Sequence, residues 1–338
     1  MTGAAGEGFV VGVDSGGSGL RVALARPGDG SGAVLETHAS AEPVPTGPGG
    51  IDAGRLLGRL LPAVDAMAAR AGGGSVLAVA VGAAGMATLG DRLRAELPGA
   101  LGAAWGVRRL ALAADAVTAY AGALGQRPGA VVAGGTGLIA LGTDLSGWRR
   151  ADGWGHLLGD CGSGAWIGRA GLEAAMRAHD GRRGGSAALL ARAEARFGPA
   201  DGLPAALYPR TDRPAVLASF APDVAAAAGS GDPVAGGILA GAGRHIAEAA
   251  AAVLPDGTAG ATAVGAGAGG EVAFTGGLFR IGEPLLGPLR AELGALAPAV
   301  REVPAAGDPL AGAVTIAAAL ARGTLRLPED PRLLRLTR

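Results

Sequence analysis

The sequence predicts an α/β protein built as two similar halves. Three observations carry that expectation: the chain length, one strand–turn–strand unit that occurs twice, and strands alternating with helices after each occurrence. At 338 residues the chain exceeds one ordinary core and suits two domains. Its 49% hydrophobic and 17% charged content belongs to a folded chain, not a disordered one.

The first unit reads as a strand from Phe9 to Asp14, the turn Ser15-Gly16-Gly17-Ser18-Gly19, and a strand from Leu20 to Ala25. The second reads as a strand from Val131 to Ala133, the turn Gly134-Gly135-Thr136-Gly137, and a strand from Leu138 to Leu141. Ser75 to Gly82 and Arg109 to Ala114 have the composition of further buried strands, and Asp52 to Arg70 and Ala116 to Ala123 that of helices. A helix is expected from Ser163, its N-cap, to His179, with others over Ser186 to Phe197 and Pro233 to Val253. Thr258 to Gly270 reads as a Gly/Ala-rich loop with little reason to be ordered. A late strand, Glu271 to Thr275, ends in Gly276-Gly277, with a helix expected after Leu278. Leu310 to Ala321 is a final apolar helix, and Pro328 to Arg338 is expected to be loose. The expected partition is an N-terminal domain over 1–114, a larger domain with a helical insertion over 115–309, and a last helix, 310–323, returning to the first domain.

Composition excludes several function classes. The formal net charge is zero, so no basic surplus marks a nucleic-acid or anionic-membrane partner, and small-molecule work is expected. Gly, Asp, Arg or Pro interrupts every apolar run before it reaches spanning length. Met1 to Glu7 lacks the basic and apolar regions of a secretory signal, and the one cysteine, Cys161, fits a reducing cytoplasm. The chain has no lysine and no asparagine. A Walker-A P-loop needs the former, and the protein-kinase catalytic set needs both.

The loops carry the chemistry. Gly-rich turns let backbone N–H groups converge on an anion, so both hairpins, with hydroxyls on Ser18 and Thr136, are candidate phosphate cradles; either alone could be a plain tight turn. A dinucleotide fold is excluded because its turn must run into a helix. Asp14 ends a very apolar strand, where a carboxylate needs a cation or donors. It either holds Mg²⁺ through water beside phosphates or caps the turn. Asp115 follows the strand to Ala114 and is either a helix N-cap or a general base. Asp152-Gly153-Trp154-Gly155-His156-Leu157-Leu158-Gly159-Asp160-Cys161-Gly162-Ser163-Gly164 packs an aromatic, a histidine and two carboxylates among glycines. Sugar sites combine those groups, whereas one His and one Cys lack metal-ligand spacing. Gly276 and Gly277 could let the backbone lie flat against adenine or simply form a tight turn.

These residues resemble a known group. Asp14-Ser15-Gly16-Gly17-Ser18 looks like the first phosphate motif of the actin-like ATPases, the acetate and sugar kinase, heat-shock protein 70 and actin group. Gly135-Thr136-Gly137 looks like the second phosphate motif and Thr275-Gly276-Gly277 like the adenosine motif, in matching order from Val10 to Ala321. Gly153-Trp154-Gly155-His156, then Gly159-Asp160 and Gly162-Ser163, is similar to the N-acetylglucosamine kinase and BadF/BadG-type family. The run from Asp152 to Gly184 looks closest to the glucosamine kinases of actinobacteria. The resemblance implies two ribonuclease-H-like α/β domains with ATP and sugar in the cleft between them. It implies Asp115 as catalytic base and sugar ligand, Asp160 as a sugar-hydroxyl ligand, and Gly153, Trp154 and His156 at the sugar pocket. It assigns nucleotide to Ser15, Gly16, Gly17, Ser18, Gly135, Thr136, Gly137, Gly276 and Gly277, and Mg²⁺ to Asp14.

The chain departs from the family pattern at three points. Cys161 stands where the N-acetylglucosamine kinases carry Glu, no asparagine is available for an N-domain sugar loop, and Leu138 replaces a Ser of the second phosphate motif. The first two favour glucosamine over N-acetylglucosamine as the sugar phosphorylated at C6. The related activators of 2-hydroxyacyl-CoA dehydratases need cysteines for an iron–sulfur cluster, and one cysteine in the sugar loop argues against them. A sugar-responsive regulator would carry an N-terminal DNA-binding domain, whereas the first phosphate motif begins almost at residue 1. A cytoplasmic monomer or homodimer is expected, acting on an amino sugar and ATP with no nucleic acid or membrane partner.

Overall fold

The computed structural model describes residues 8–16, 19–28, 32–42, 44, 46–47, 50–86, 90–255 and 270–337. The chain forms two compact units. One comprises Met1–Pro128, Asp144–Trp148 and Pro304–Arg338; the other comprises Gly129–Thr143 and Arg149–Val303. The loop expected over Thr258 to Gly270 lies outside the described residues except Gly270.

In the first unit the strands are β1 (Gly8–Gly16), β2 (Gly19–Arg26), β3 (Ala33–Ser40), the short pair β4 (Thr46–Gly47) and β5 (Gly50–Ile51), β6 (Ser75–Ala83), β7 (Arg109–Ala114) and β13 (Leu334–Thr337). The helices are α1 (Ala53–Arg70), α2 (Asp91–Trp105), α3 (Asp115–Leu124) and α11 (Pro309–Arg322). The main sheet has the order β13-β7-β6-β1-β2-β3. β1 pairs antiparallel with β2 and parallel with β6, and β6 pairs parallel with β7. β1 reads Gly-Phe-Val-Val-Gly-Val with no exposed position, the continuous apolar run of a strand covered on both faces. α1 covers one region through Leu56, Leu60, Val64 and Met67, a stripe at helical spacing, and starts where Asp52 Oδ1 accepts the Arg55 N–H at 2.8 Å. α11 lies across β1 and β6 and crosses α3 with the backbones in contact. A Cβ on Gly312 would stand 1.9 Å from the Thr118 carbonyl oxygen, so only glycine fits that crossing.

The first unit runs on through Pro128 rather than ending at Ala114, because α3 packs on α11 and on β7, β1 and β6. The loose tail expected over Pro328 to Arg338 is also corrected. Leu333 and Leu334 are buried, Asp330 Oδ1 accepts the N–H groups of Arg332 and Leu333 at 2.8 Å, and β13 adds an antiparallel strand to β7. Two apolar side chains and an available strand edge outweigh the local Pro and Arg content.

The second unit contains β8 (Gly129–Gly134), β9 (Leu138–Thr143), β10 (Trp148–Asp152), β11 (Glu271–Thr275) and β12 (Arg301–Glu302). Its helices are α4 (Gly164–His179), α5 (Ala187–Phe197), α6 (Leu203–Leu207), α7 (Arg213–Ser219), α8 (Ala221–Gly229), α9 (Pro233–Val253) and α10 (Glu283–Leu296). The sheet order is β10-β9-β8-β11-β12, with β8 antiparallel to β9 and parallel to β11. That order matches β3-β2-β1-β6-β7 of the first unit strand for strand: a leading hairpin with parallel strands added on its other side. The core is formed by α9, α4, α8 and α10 over this sheet, around Ile167, Phe220, Leu239, Ile246 and Leu289.

Candidate active site

In the first unit three parallel strands end together. Ser15 stands opposite Ala83, and Ala83 opposite Ala114. Asp115 follows as the first residue of α3 and is exposed. It is not the N-cap; that position is Ala114, which makes no side-chain cap. Asp115 Oδ1 accepts the N–H of Ala116 at 2.9 Å, and the Thr118 hydroxyl donates to the Asp115 carbonyl at 2.9 Å. A carboxylate in a first helical turn is favoured by the helix dipole.

Asp14 is held by an arginine from the hairpin partner strand. Arg21 Nε and Nη2 both donate to Asp14 Oδ2, at 3.0 and 2.6 Å, and Nη1 reaches Asp308 Oδ2 at 2.5 Å. Asp308 is in turn the N-cap of α11, accepting the Ala311 N–H at 2.9 Å. Burial works against the Arg21 charge, but the hydrogen bond and charge of Asp14, with those of Asp308, outweigh it and hold the guanidinium above its ordinary value. Asp14 Oδ1 has no hydrogen-bond partner among the described residues. A carboxylate half neutralised in this way suits a metal held through water better than a direct ligand, and among the described residues no three His, Cys, Asp or Glu side chains gather as a metal cage. Ser15 is 1% exposed, and its Oγ finds no partner among the described residues. An orphaned buried hydroxyl costs about 1–3 kcal/mol, so this one marks a place for an added donor or acceptor. Gly16 closes the described part of the turn opposite Gly19, and Gly17 and Ser18 lie outside the described residues.

In the second unit the other hairpin sits on the start of α4. The carbonyls of Gly135 and Thr136 accept the N–H groups of Gly164 and Ala165 at 2.9 and 3.1 Å, and Ser163 Oγ accepts that of Trp166 at 3.1 Å. The first-turn donors of the helix are thus consumed by the turn. The N–H groups of Thr136 and Gly137 and the exposed Thr136 hydroxyl have no partner among the described residues. These are the groups a phosphate would take. Gly276 and Gly277 lie against the same turn: a Cβ on Gly276, whose φ is +105°, would stand 2.1 Å from the Gly134 carbonyl oxygen. Both are exposed, and the next residues, Leu278 and Phe279, pack on Gly134. The helix expected after Leu278 begins later, as α10, after a 3₁₀ turn over Gly277–Ile281.

The loop from Asp152 to Ser163 folds back onto that hairpin. Trp154 is exposed, with the Arg150 guanidinium 4.2 Å from its ring centre. Arg150 also donates to the carbonyls of Asp152 and Gly153, at 3.0 and 2.6 Å. Gly153 and Gly155 have φ of +75° and +83°, which sets the turns on either side of the ring. His156 is half-buried, while Leu157 and Leu158 are 82% and 85% exposed. Asp160 is turned inward. It is 9% exposed; its Oδ1 accepts the Gly155 N–H at 3.1 Å, and the carboxylate also accepts from the Leu138 backbone. Burial pushes this carboxyl up, the Gly155 N–H opposes the shift, and the Asp152 charge adds to it. Burial and the same two carboxylates raise the Cys161 thiol. The turn at 135–137, the tips at 276–277 and the loop at 153–160 therefore meet within one unit.

Asp152, Arg21 and Asp308 were missed as site residues in the sequence. Asp152 had one signal, a carboxylate directly before a Gly-aromatic-Gly turn. Arg21 and Asp308 stand 287 positions apart and had none.

The model of the BadF/BadG/BcrA/BcrD ATPase family matches residues 11–316. A curated relative, the N-acetylmuramic acid/N-acetylglucosamine kinase of Clostridium acetobutylicum, is 44% identical over 69 residues, a match spanning 20% of this chain and 22% of that protein. Among solved structures, the putative N-acetylglucosamine kinase of Chromobacterium violaceum aligns over 93% of this chain and 98% of its own, with 28% identity and a TM-score of 0.62. The putative N-acetylglucosamine kinase of Porphyromonas gingivalis has the same fold at 18% identity and TM-score 0.65, over 94% and 99% of the two chains. So does a Streptomyces griseus ROK family glucokinase solved with glucose and AMPPNP, at 21% and 0.52, over 94% and 100%. With both sheets, both hairpins and 306 consecutive positions accounted for, the chain has the actin-like ATPase fold and belongs to the BadF/BadG/BcrA/BcrD ATPase family.

Proposed function

We infer that this chain is an ATP-dependent hexosamine kinase that transfers the γ-phosphoryl group to the C6 hydroxyl of glucosamine. One observation carries the reading: an aromatic and polar loop of the kind that binds sugar is bonded through Asp160 to a turn whose free N–H groups suit a phosphate. Asp115 is the base. Its carboxylate takes the proton as the C6 oxygen forms its bond to phosphorus, and the bond to the ADP oxygen breaks. The N–H groups of Thr136 and Gly137 hold phosphate oxygens in the attacking line, and Gly276 and Gly277 accept the adenosine. Asp14, through Oδ1, would hold Mg²⁺ by way of water, and the ion would neutralise charge on the phosphates. With no lysine in the chain, further cationic contact falls to arginine. Trp154 offers a face for the sugar ring, with Gly153 and His156 beside it, and Asp160 supports that loop from beneath.

The choice of glucosamine rests on Cys161 in place of Glu and on the absence of asparagine. A charged hydrogen bond to the C2 amine, worth about 1.5–3 kcal/mol, would favour glucosamine over glucose by roughly ten- to a hundredfold. N-acetylglucosamine is the second reading, supported by the names of the similar proteins from Clostridium, Chromobacterium and Porphyromonas. ADP-release assays with glucosamine, N-acetylglucosamine and glucose decide between them. The highest kcat/KM on N-acetylglucosamine replaces the first reading by the second, and no turnover of any hexosamine refutes both.

A further inference from the structure

The Asp152 side chain is not used by the mechanism above, yet in the sugar loop it is as heavily committed as Asp160. It accepts two consecutive backbone N–H groups, from Asp160 through Oδ1 and from Cys161 through Oδ2 at 2.8 Å. It does so from a left-handed backbone, φ +61°, uncommon for a residue with a side chain though more accessible to aspartate than to most. Asp160, at the other end of the loop, is also left-handed, at +54°. The space is closed on both carboxylates. A Cβ on Gly159 would stand 2.4 Å from Asp152 Oδ1, and a Cβ on Gly137 would stand 2.6 Å from Asp160 Oδ2.

The contacts form a continuous chain. Asp152 fixes the backbone at Asp160 and Cys161. That fixes the Asp160 carboxylate, which grips Gly155 in the sugar loop and Leu138 beside the phosphate turn. The Asp160 carbonyl then accepts the Ser163 N–H at 3.0 Å, at the start of the helix on which that turn rests. Arg150 closes the opposite side by holding the carbonyls of Asp152 and Gly153 beneath Trp154.

We propose that Asp152 is a positioning residue, which through Asp160 sets the distance between the Trp154–His156 sugar loop and the Thr136–Gly137 phosphate turn. The proposal rests on the hexosamine kinase reading. It assigns Asp152 no contact with substrate. Losing it leaves the ring-binding face intact but displaced from the phosphate turn.

The test uses Asp152→Gly, Asp152→Asn, Gly137→Ala and the double variant Asp152→Gly/Gly137→Ala in the full chain. Glycine accepts the positive φ, so Asp152→Gly removes the two acceptors without adding backbone strain. The expected result is a sugar KM raised about tenfold or more, with ATP KM changed less than about threefold. Asp152→Asn retains one acceptor and should fall between wild type and Asp152→Gly. Gly137→Ala presses on Asp160 from the other side. In the double variant its effect on sugar KM should be smaller than in the wild-type background, because the lock it strains is already released. A merely structural Asp152 would lower the melting temperature of Asp152→Gly and leave sugar KM unchanged; that result overturns the proposal. Effects that multiply in the double variant overturn its route through Asp160. A wild-type protein without hexosamine kinase activity refutes the underlying function, a different outcome from active wild type with an unaffected variant.

Discussion

Asp115→Asn separates catalysis from folding. The side chain is exposed at the first position of α3, and its bond to the Ala116 N–H is one that an asparagine Oδ1 also makes. Surface changes of this sort cost within about 0.5 kcal/mol, which is a melting shift of about 2 °C or less. The chemistry should respond on a different scale. An amide cannot take the C6 proton, and general-base catalysis contributes about 10²–10⁴-fold. At about 1.36 kcal/mol per decade, the barrier rises by about 3–5 kcal/mol. The assay is ADP release at saturating ATP and sugar, beside a thermal melt of the same preparation. Background ADP release without sugar is subtracted, so hydrolysis by water does not enter. A variant that melts with wild type and keeps kcat within about threefold refutes Asp115 as the base.

Three further outcomes test the packing. Gly312→Ala should lower the melting temperature by an amount equivalent to about 1–3 kcal/mol, because the added methyl meets the backbone of Thr118 and Gly122, which has no side-chain freedom to yield. Gly237→Ala, exposed within α9 with nothing inside 4 Å of the new methyl, should stabilise by about 0.5–1 kcal/mol; a loss there refutes the helix assignment. Asp232 caps α9 through the Ala235 N–H at 2.8 Å and accepts the Ser186 hydroxyl at 2.7 Å. Burial alone would raise its carboxyl, but those two donors, with the Val234 N–H, outweigh it and hold the group below its ordinary value. A carboxyl lowered in the folded state stabilises above the unfolded pKa of about 3.9 and loses that contribution as pH falls through its folded value. Asp232→Ala should therefore cost about 1–2 kcal/mol at neutral pH, and denaturant melts should show the gap narrowing below about pH 4.

The sequence disclosed what is local. Two Gly-rich turns between Val-rich strands, the serine caps of α4 and α5, and the apolar stripe of α1 each lie within a few neighbouring residues. β3 and α2 gave no such signal. β3 is exposed along most of both faces, so its side chains do not alternate, and α2 carries Pro98, Gly99 and Gly102 within its turns. At the site, spacing revealed that Asp160 was a carboxylate near a tryptophan. It could not reveal that the chain turns this carboxylate inward, because that direction is set by a positive φ and by N–H groups of residues 138 and 155. Arg21 meeting Asp308 is likewise a product of α11 returning to β1, and no window of sequence contains both.

That return has a consequence for synthesis. Residues 304–338 belong to the unit that begins the chain, whereas the other unit, residues 129–143 and 149–303, has all its residues in place once residue 303 is made. Gly12 and the α3 surface are covered by that last segment, so a nascent chain stalled before residue 304 is expected to present this apolar surface to chaperones.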